Sequence, residues 1–142
     1  MATLAAEEPR VYEAAIQPEY NDLPIIAADV VYSGAACGES SSTGTYRPLV
    51  AGDAFGGFAI ATCDNSAGAA SALNIRARTR GIVKLTVVGA ASAADKDATV
   101  YASDDATFTL TSGSNTAIGK VARWVSSTTC MVRFEAASAQ SL

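Results

Sequence analysis

Apolar and polar residues alternate with a period of two in several short runs, and the clearest of these lie between Ala98 and Ala136. Val100 and Tyr101 begin the stretch with β-branched and aromatic residues. Thr107 to Thr111 places Phe108 and Leu110 on one face and Thr107, Thr109 and Thr111 on the other, as the pleat of a strand requires. Ala117 to Val125 and Thr129 to Phe134 are two further runs. Ser103-Asp104-Asp105, Ser112-Gly113-Ser114-Asn115 and Ser126-Ser127 separate them, and short polar side chains favour turns by bonding their own backbone. Turns this close leave no room for crossover helices, so the pattern predicts an antiparallel meander.

Upstream, Ile25 to Tyr32 reads as a strand ended by Ser33-Gly34, followed by a short apolar step, Ala35 to Gly38, and a polar loop, Glu39 to Thr45. Tyr46 to Val50 is a short strand, and Pro48 places it at an edge. Phe55 to Thr62 follows the turn Ala51-Gly52-Asp53, with Gly56-Gly57 marking a bulge or the close approach of another backbone. Asp64 to Ala72 reads as a loop. Leu73 to Val88 reads as two strands meeting at Gly81. In the first, Arg76, Arg78 and Arg80 share one face; in the second, Ile82 to Val88 alternates less cleanly and reads as buried. Gly89 to Ala98 is a loop containing Asp95 and Asp97.

Met1 to Pro24 differs from the rest. It holds Pro9, Pro18 and Pro24, three of the four prolines, and is expected to be extended and irregular. Tyr12, Ile16, Tyr20 and Leu23 give it more apolar bulk than a disordered tail carries. Two readings stand: a segment lying over its own domain, or an arm docking on a neighbouring subunit or a larger assembly. The expected organisation is an extended N-terminal arm (residues 1–24), a β-rich domain (25–136) and a short C-terminal tail (137–142). The fold class is mainly β, a small antiparallel β-barrel or sandwich with an extended N-terminal arm.

Composition narrows the chemistry. The chain has 142 residues and no histidine, which removes the commonest general base and metal ligand. No phosphate-binding glycine loop is present. Cys37, Cys63 and Cys130 are widely spaced, lack CxxC pairing and read as reduced thiols, some buried. Neither a catalytic set nor a cofactor site is expected. Asp95/Asp97 and Asp104/Asp105 suit turns better than calcium. The net charge of −4 disfavours direct nucleic-acid binding. No apolar run reaches the ~18 residues of a membrane span, and MATLAAEEPR lacks the basic, apolar opening of a secretory leader. Three arginines on one face imply an acidic counterpart, which could be this domain's own carboxylates, a neighbouring subunit, or a phosphate or polysaccharide. Trp124, the single tryptophan, is a candidate core anchor or interface residue.

The runs RPLVAGDAFGGFA (Arg47 to Ala59), RTRGIVKLTVVGA (Arg78 to Ala90), VYASDDATFTLT (Val100 to Thr111) and IGKVARWVSSTTCMVRFEA (Ile118 to Ala136) resemble the capsid decoration, or cement, proteins of tailed bacteriophages. TLAAEEPRVYE and IIAADVVYSGAACGE fit the same pattern. Cys37 and Cys130 depart from it by standing where valine-like residues are expected. The resemblance implies a non-enzymatic virion protein on the outer surface of the mature head, bound to the major capsid protein, self-associating as a homotrimer and stapling neighbouring capsomers. Arg10, Val11, Tyr12 and Tyr20 are then the expected shell or neighbour contacts, with Arg76, Arg78 and Arg80 for polar contacts. A carbohydrate-binding β module on the virion surface is the alternative.

Overall fold

The computed structural model describes residues 3–13, 19–40 and 44–137. Ile16 and Pro18 of the expected arm, residues 41–43 of the polar loop and nearly all of the tail lie outside them. The described chain forms β1 (Val11–Glu13), β2 (Glu19–Pro24), β3 (Asp29–Val31), β4 (Ala36–Glu39), β5 (Tyr46–Pro48), β6 (Ala54–Ala59), β7 (Cys63–Asn65), β8 (Asn74–Val88), β9 (Thr99–Ala102), β10 (Phe108–Thr109), β11 (Thr116–Ser126) and β12 (Thr129–Glu135). A 3-10 turn at Ala93–Asp95 is closed by a capping box between Ser92 and Asp95.

β8 is the axis of the molecule. Ile75, Ala77, Thr79, Gly81, Val83, Leu85 and Val87 are buried, and every residue between them is half-buried or exposed. The alternation is therefore unbroken to Val88, and the expectation of a buried second strand after Gly81 is corrected: Lys84, Thr86 and Val88 face outward. The expected break at Gly81 is corrected too. Gly81 has φ +149, which only glycine adopts readily, so it coils the strand and leaves the ladder to β12 continuous, with Phe134 opposite Gly81 and Glu135 opposite Arg80.

Five strands close into a barrel. β8 pairs with β12, β12 with β11, β11 with β9, β9 with β10, and β10 returns to β8. The last pairing is parallel, Phe108 opposite Val87 and Thr109 opposite Val88. The four strands of the expected meander do pair antiparallel with one another, but their order is corrected, because β11 passes β10 and pairs with β9, and β10 adds a parallel contact to β8 outside that stretch. The turn explains it. Asp104 Oδ1 accepts from the amides of Ala106 and Thr107, both at 2.8 Å. This folds β10 tightly back on one edge of β9 and leaves the other edge for β11.

β6, β4 and β5 extend the sheet from the first half of β8, and β5 ends this path, as Pro48 implied. At Gly56-Gly57 the register against β4 shifts, and a Cβ on Gly57 would strike the carbonyl of Arg78. Both a bulge and a close backbone approach are present. The Ile25–Tyr32 strand shrinks to Asp29–Val31, because Ala28 turns the chain with φ +55. β3 and β7 form a separate two-stranded ladder.

All four phenylalanines meet inside the barrel region. The Phe58 ring lies 4.9 Å from Phe134, 5.5 Å from Phe55 and 5.8 Å from Phe108, at the edge-on or tilted angles that aromatic quadrupoles favour. A second cluster, including Leu23, Ile25, Val31, Cys37 and Ile75, lies under the first half of β8.

Candidate functional site

The seven residues singled out in the sequence fall along the seam between the N-terminal segment and β8. Its described part is extended but not irregular. β1 pairs antiparallel with β8, Val11 opposite Lys84 and Tyr12 opposite Val83; β2 follows with Tyr20 opposite Arg78 and Asp22 opposite Arg76. Ahead of β1 the chain is tied down at spaced points. The Leu4 amide donates to Asp105 Oδ2 at 3.1 Å, Thr62 Oγ1 donates to Glu7, and the Glu8 amide donates to the carbonyl of Ser33 at 2.9 Å.

Arg76, Arg78 and Arg80 share a face of β8, as the spacing required. Arg76 forms a two-pronged pair with Asp22, 2.9 Å from Nε to Oδ1 and 3.2 Å from Nη2 to Oδ2. That hydrogen bond holds the Asp22 carboxyl below its usual pKa and raises that of Arg76. Both groups are solvent-exposed, so the pair sets register more than it adds stability. Arg78 lies 4.3 Å above the Tyr12 ring and 5.2 Å from the Tyr20 ring, and its Nη2 donates to the Tyr20 hydroxyl at 2.6 Å. Its Nε finds no partner among the described residues. Arg80 lies 4.0 Å from Glu135. The acidic counterparts of Arg76 and Arg80 are therefore carboxylates of this same chain.

Tyr12 is half-buried and packs against Phe134 at 6.2 Å; burial pushes its phenol up to about 12, against the pull of Arg78 and Arg10. Arg10 sits apart from the ladder. Its Nε donates to the carbonyl of Gly34 at 2.8 Å, Nη1 pairs with Glu8 at 2.6 Å, and the guanidinium lies 5.5 Å from the Phe108 ring. Val11 and Tyr20 are the exposed apolar and aromatic members of the set, at 60% and 49%. The structure thus unites Tyr12, Tyr20 and Arg78 in one stack, gives Arg76 and Arg80 separate acidic partners, and places Arg10 at the base of the strap. Chemically the arrangement is a clamp: cations on the body grip aromatic and acidic groups on the N-terminal segment.

Two polar features escaped the sequence reading. Asp105 is 1% exposed, and burial lifts its carboxyl to about 6, with Asp104 raising it further while the Leu4 amide and Arg10 pull it down. Its Oδ1 has no partner among the described residues. The Asp-Asp pair read as a single turn, whereas only Asp104 makes the turn and Asp105 points inward under Leu4. The other feature is Asp53, 9% exposed, whose carboxylate takes two bonds from Arg47 at 2.9 and 3.0 Å and one from the Val50 amide at 3.0 Å. Arg47 stands six residues before Asp53, across a turn, a spacing that could have signalled the pair.

Cys37 and Cys130 are buried and Cys63 half-buried, all as free thiols; burial lifts Cys37 to about 12. Trp124 is half-buried against the barrel core, its indole Nε1 donating to the carbonyl of Ser127 at 2.8 Å. Among the described residues no group of three or more Cys, Asp or Glu is placed to hold a metal ion. No family model matches the chain, and a search of curated proteins returns no relative.

Proposed function

We propose that this chain is a capsid decoration protein that binds the outer surface of a mature tailed-phage head and stabilises it by bridging capsomers. The observation that carries the reading is the resemblance of four runs, spread in order from Arg47 to Ala136, to that family. The fold lends coarser support: a small β-barrel whose N-terminal segment is strapped along one side, with Val11 and Tyr20 left facing out. In this reading Val11 and Tyr20 touch the major capsid protein or a neighbouring copy in a trimer. Arg10, Tyr12, Arg76 and Arg78 hold the strap that presents them, while Arg80 supplies a polar contact beside Glu135 of the body.

The mechanism needs no reaction. A ligand that binds only the assembled, expanded lattice stabilises that lattice by mass action. Many weak contacts repeated over a shell add through multivalency. The carbohydrate-binding alternative gains nothing from Trp124, whose indole N–H is already committed to Ser127.

The test is co-sedimentation of the purified protein with expanded heads that lack it, with unexpanded precursor shells as control. Saturable binding to expanded heads, weakened by Val11→Asp and by Tyr20→Ala, is the expected result. A folded protein that binds neither shell overturns the proposal.

A further inference from the structure

Most cations of this chain have a partner inside the molecule. Arg10 pairs with Glu8, Arg47 with Asp53, Arg76 with Asp22 and Arg80 with Glu135. Lys120 and Arg133 are different. They stand directly opposite each other on β11 and β12, both exposed, and neither makes a hydrogen bond or ion pair among the described residues. Lys84 extends the group on the next strand. It lies opposite Met131, two positions from Arg133, and is likewise exposed and unpaired among the described residues.

Like charges directly opposite in an antiparallel pair destabilise a sheet. Placing them so in a chain of net charge −4, with carboxylates in excess, leaves a local positive field that the fold does not use. The surface there is concave. A recess of about 290 Å³ is lined by Lys120 and Arg133 together with Thr99, Ala117, Ile118, Gly119 and Glu135. Gly119 is what brings the walls together: a Cβ at that position would collide with the carbonyl of Arg133. Glu135, the one carboxylate in the lining, already faces Arg80. Thr99 adds a hydroxyl on the third wall.

We propose that this recess is a docking site for a carboxylate-bearing polypeptide segment, with Arg133 and Lys120 as its charge contacts and Thr99 as a neutral hydrogen-bonding group. A planar guanidinium matches a carboxylate in two-pronged fashion, and a lysine beside it adds a point charge. Nucleic acid fits less well, because a duplex or single strand would meet the repulsion of a net acidic molecule beyond three isolated cations. The recess lies on the β11–β12 side of the barrel, with Lys84 at its margin standing opposite Val11 across the β1–β8 ladder, and the proposal holds whether or not the chain decorates a capsid.

The probe is an N-acetylated, C-amidated hexaglutamate peptide, titrated calorimetrically into the whole protein at low salt, about 20 mM, where charge contacts are least screened. Hexaglutamine and a short oligothymidylate serve as comparisons. The expected result is saturable binding of hexaglutamate alone. It should weaken at least tenfold in the K120Q/R133Q double variant and at about 300 mM salt, and change less than twofold in Arg76→Gln, which alters net charge elsewhere. Relief of the cross-strand repulsion should leave the double variant melting no lower than the parent. No saturable binding at low salt overturns the proposal, as does equal weakening by Arg76→Gln or tighter binding of oligothymidylate. If the double variant melts lower, the pair is structural and the proposal fails on that count as well.

Discussion

Arg78 grips two strands at once. Its guanidinium lies 4.3 Å above the ring of Tyr12 from β1, while its Nη2 donates to the hydroxyl of Tyr20 from β2 at 2.6 Å. One side chain on the longest strand therefore holds both strands of the N-terminal segment.

Removing that grip should cost measurable stability. Arg78→Ala forfeits a partly desolvated cation–π contact and a hydrogen bond, together about 1–3 kcal/mol. Arg78→Lys should recover less than half, since an ammonium lacks the flat face that stacks on Tyr12. Urea unfolding of Arg78→Ala, Tyr20→Phe and their combination reads the coupling. Additive losses would show that the Tyr20 hydroxyl bond contributes nothing.

Gly34 offers a way to lift the strap while sparing the barrel. It has φ +96, and a Cβ there would collide with the carbonyl oxygen of Glu8. Gly34→Ala should displace the Glu8 segment and weaken the adjoining Arg10 contact, at a backbone cost of about 1–2 kcal/mol. Tryptic cleavage after Arg10 should then accelerate at least tenfold under native conditions, with the barrel still resistant. Unchanged cleavage would mean that the segment is held elsewhere.

Asp105 should make stability depend on pH in an unusual direction. Its carboxyl titrates at about 6 in the folded chain against a reference of 3.8. The folded state thus holds the proton more tightly than the unfolded state. Charging the buried group destabilises the fold progressively as pH rises from about 4 to 6, and the penalty is constant above. At about 1.36 kcal/mol per pKa unit the full effect is about 3 kcal/mol; with solvent screening about 1–2 is expected. Asp105→Asn should therefore be more stable than the parent at about pH 7.5, with the advantage vanishing by about pH 4. Parallel stability curves for the two proteins across that range would contradict this.

Asp53 should be the least replaceable carboxylate. It takes three hydrogen bonds, from Arg47 and the Val50 amide, and its own carbonyl accepts from Thr116 Oγ1 at 2.8 Å. Asp53→Ala strands a guanidinium and should cost about 2–4 kcal/mol by denaturant unfolding. Asp53→Asn keeps the acceptor for Val50 and should lose about half of that.

Features with a local cause could be read from the chain. The shared face of Arg76, Arg78 and Arg80 follows from the two-residue period, the edge position of β5 from Pro48, and the bulge from Gly56-Gly57. The closure of the barrel could not, because it rests on the two-residue β10 choosing β8 as a parallel partner, and the alternation around Phe108 and Leu110 says nothing of which strand lies beside it. Gly81 misled because a glycine in a strand usually signals an interruption, and here it supplies coil without one. The clamp was half legible. Tyr12, Tyr20 and the arginines stood out, but their meeting depends on β1 and β2 choosing β8, a pairing across more than fifty residues with no local signature.

β8 is shared by β1, β2, β6, β10 and β12. During synthesis this imposes a waiting period. When Val88 leaves the ribosome, the partners that precede it, β1, β2 and β6, are already present, but the edge from Arg80 to Thr86 must await Thr129–Glu135. For that interval a strand with one apolar face and an open edge is available to any passing chain. Contacts this distant in sequence also make for slow closure. The rate at which the last forty residues are made, and the crowding around them, should therefore govern the yield of folded protein more strongly than its final stability does.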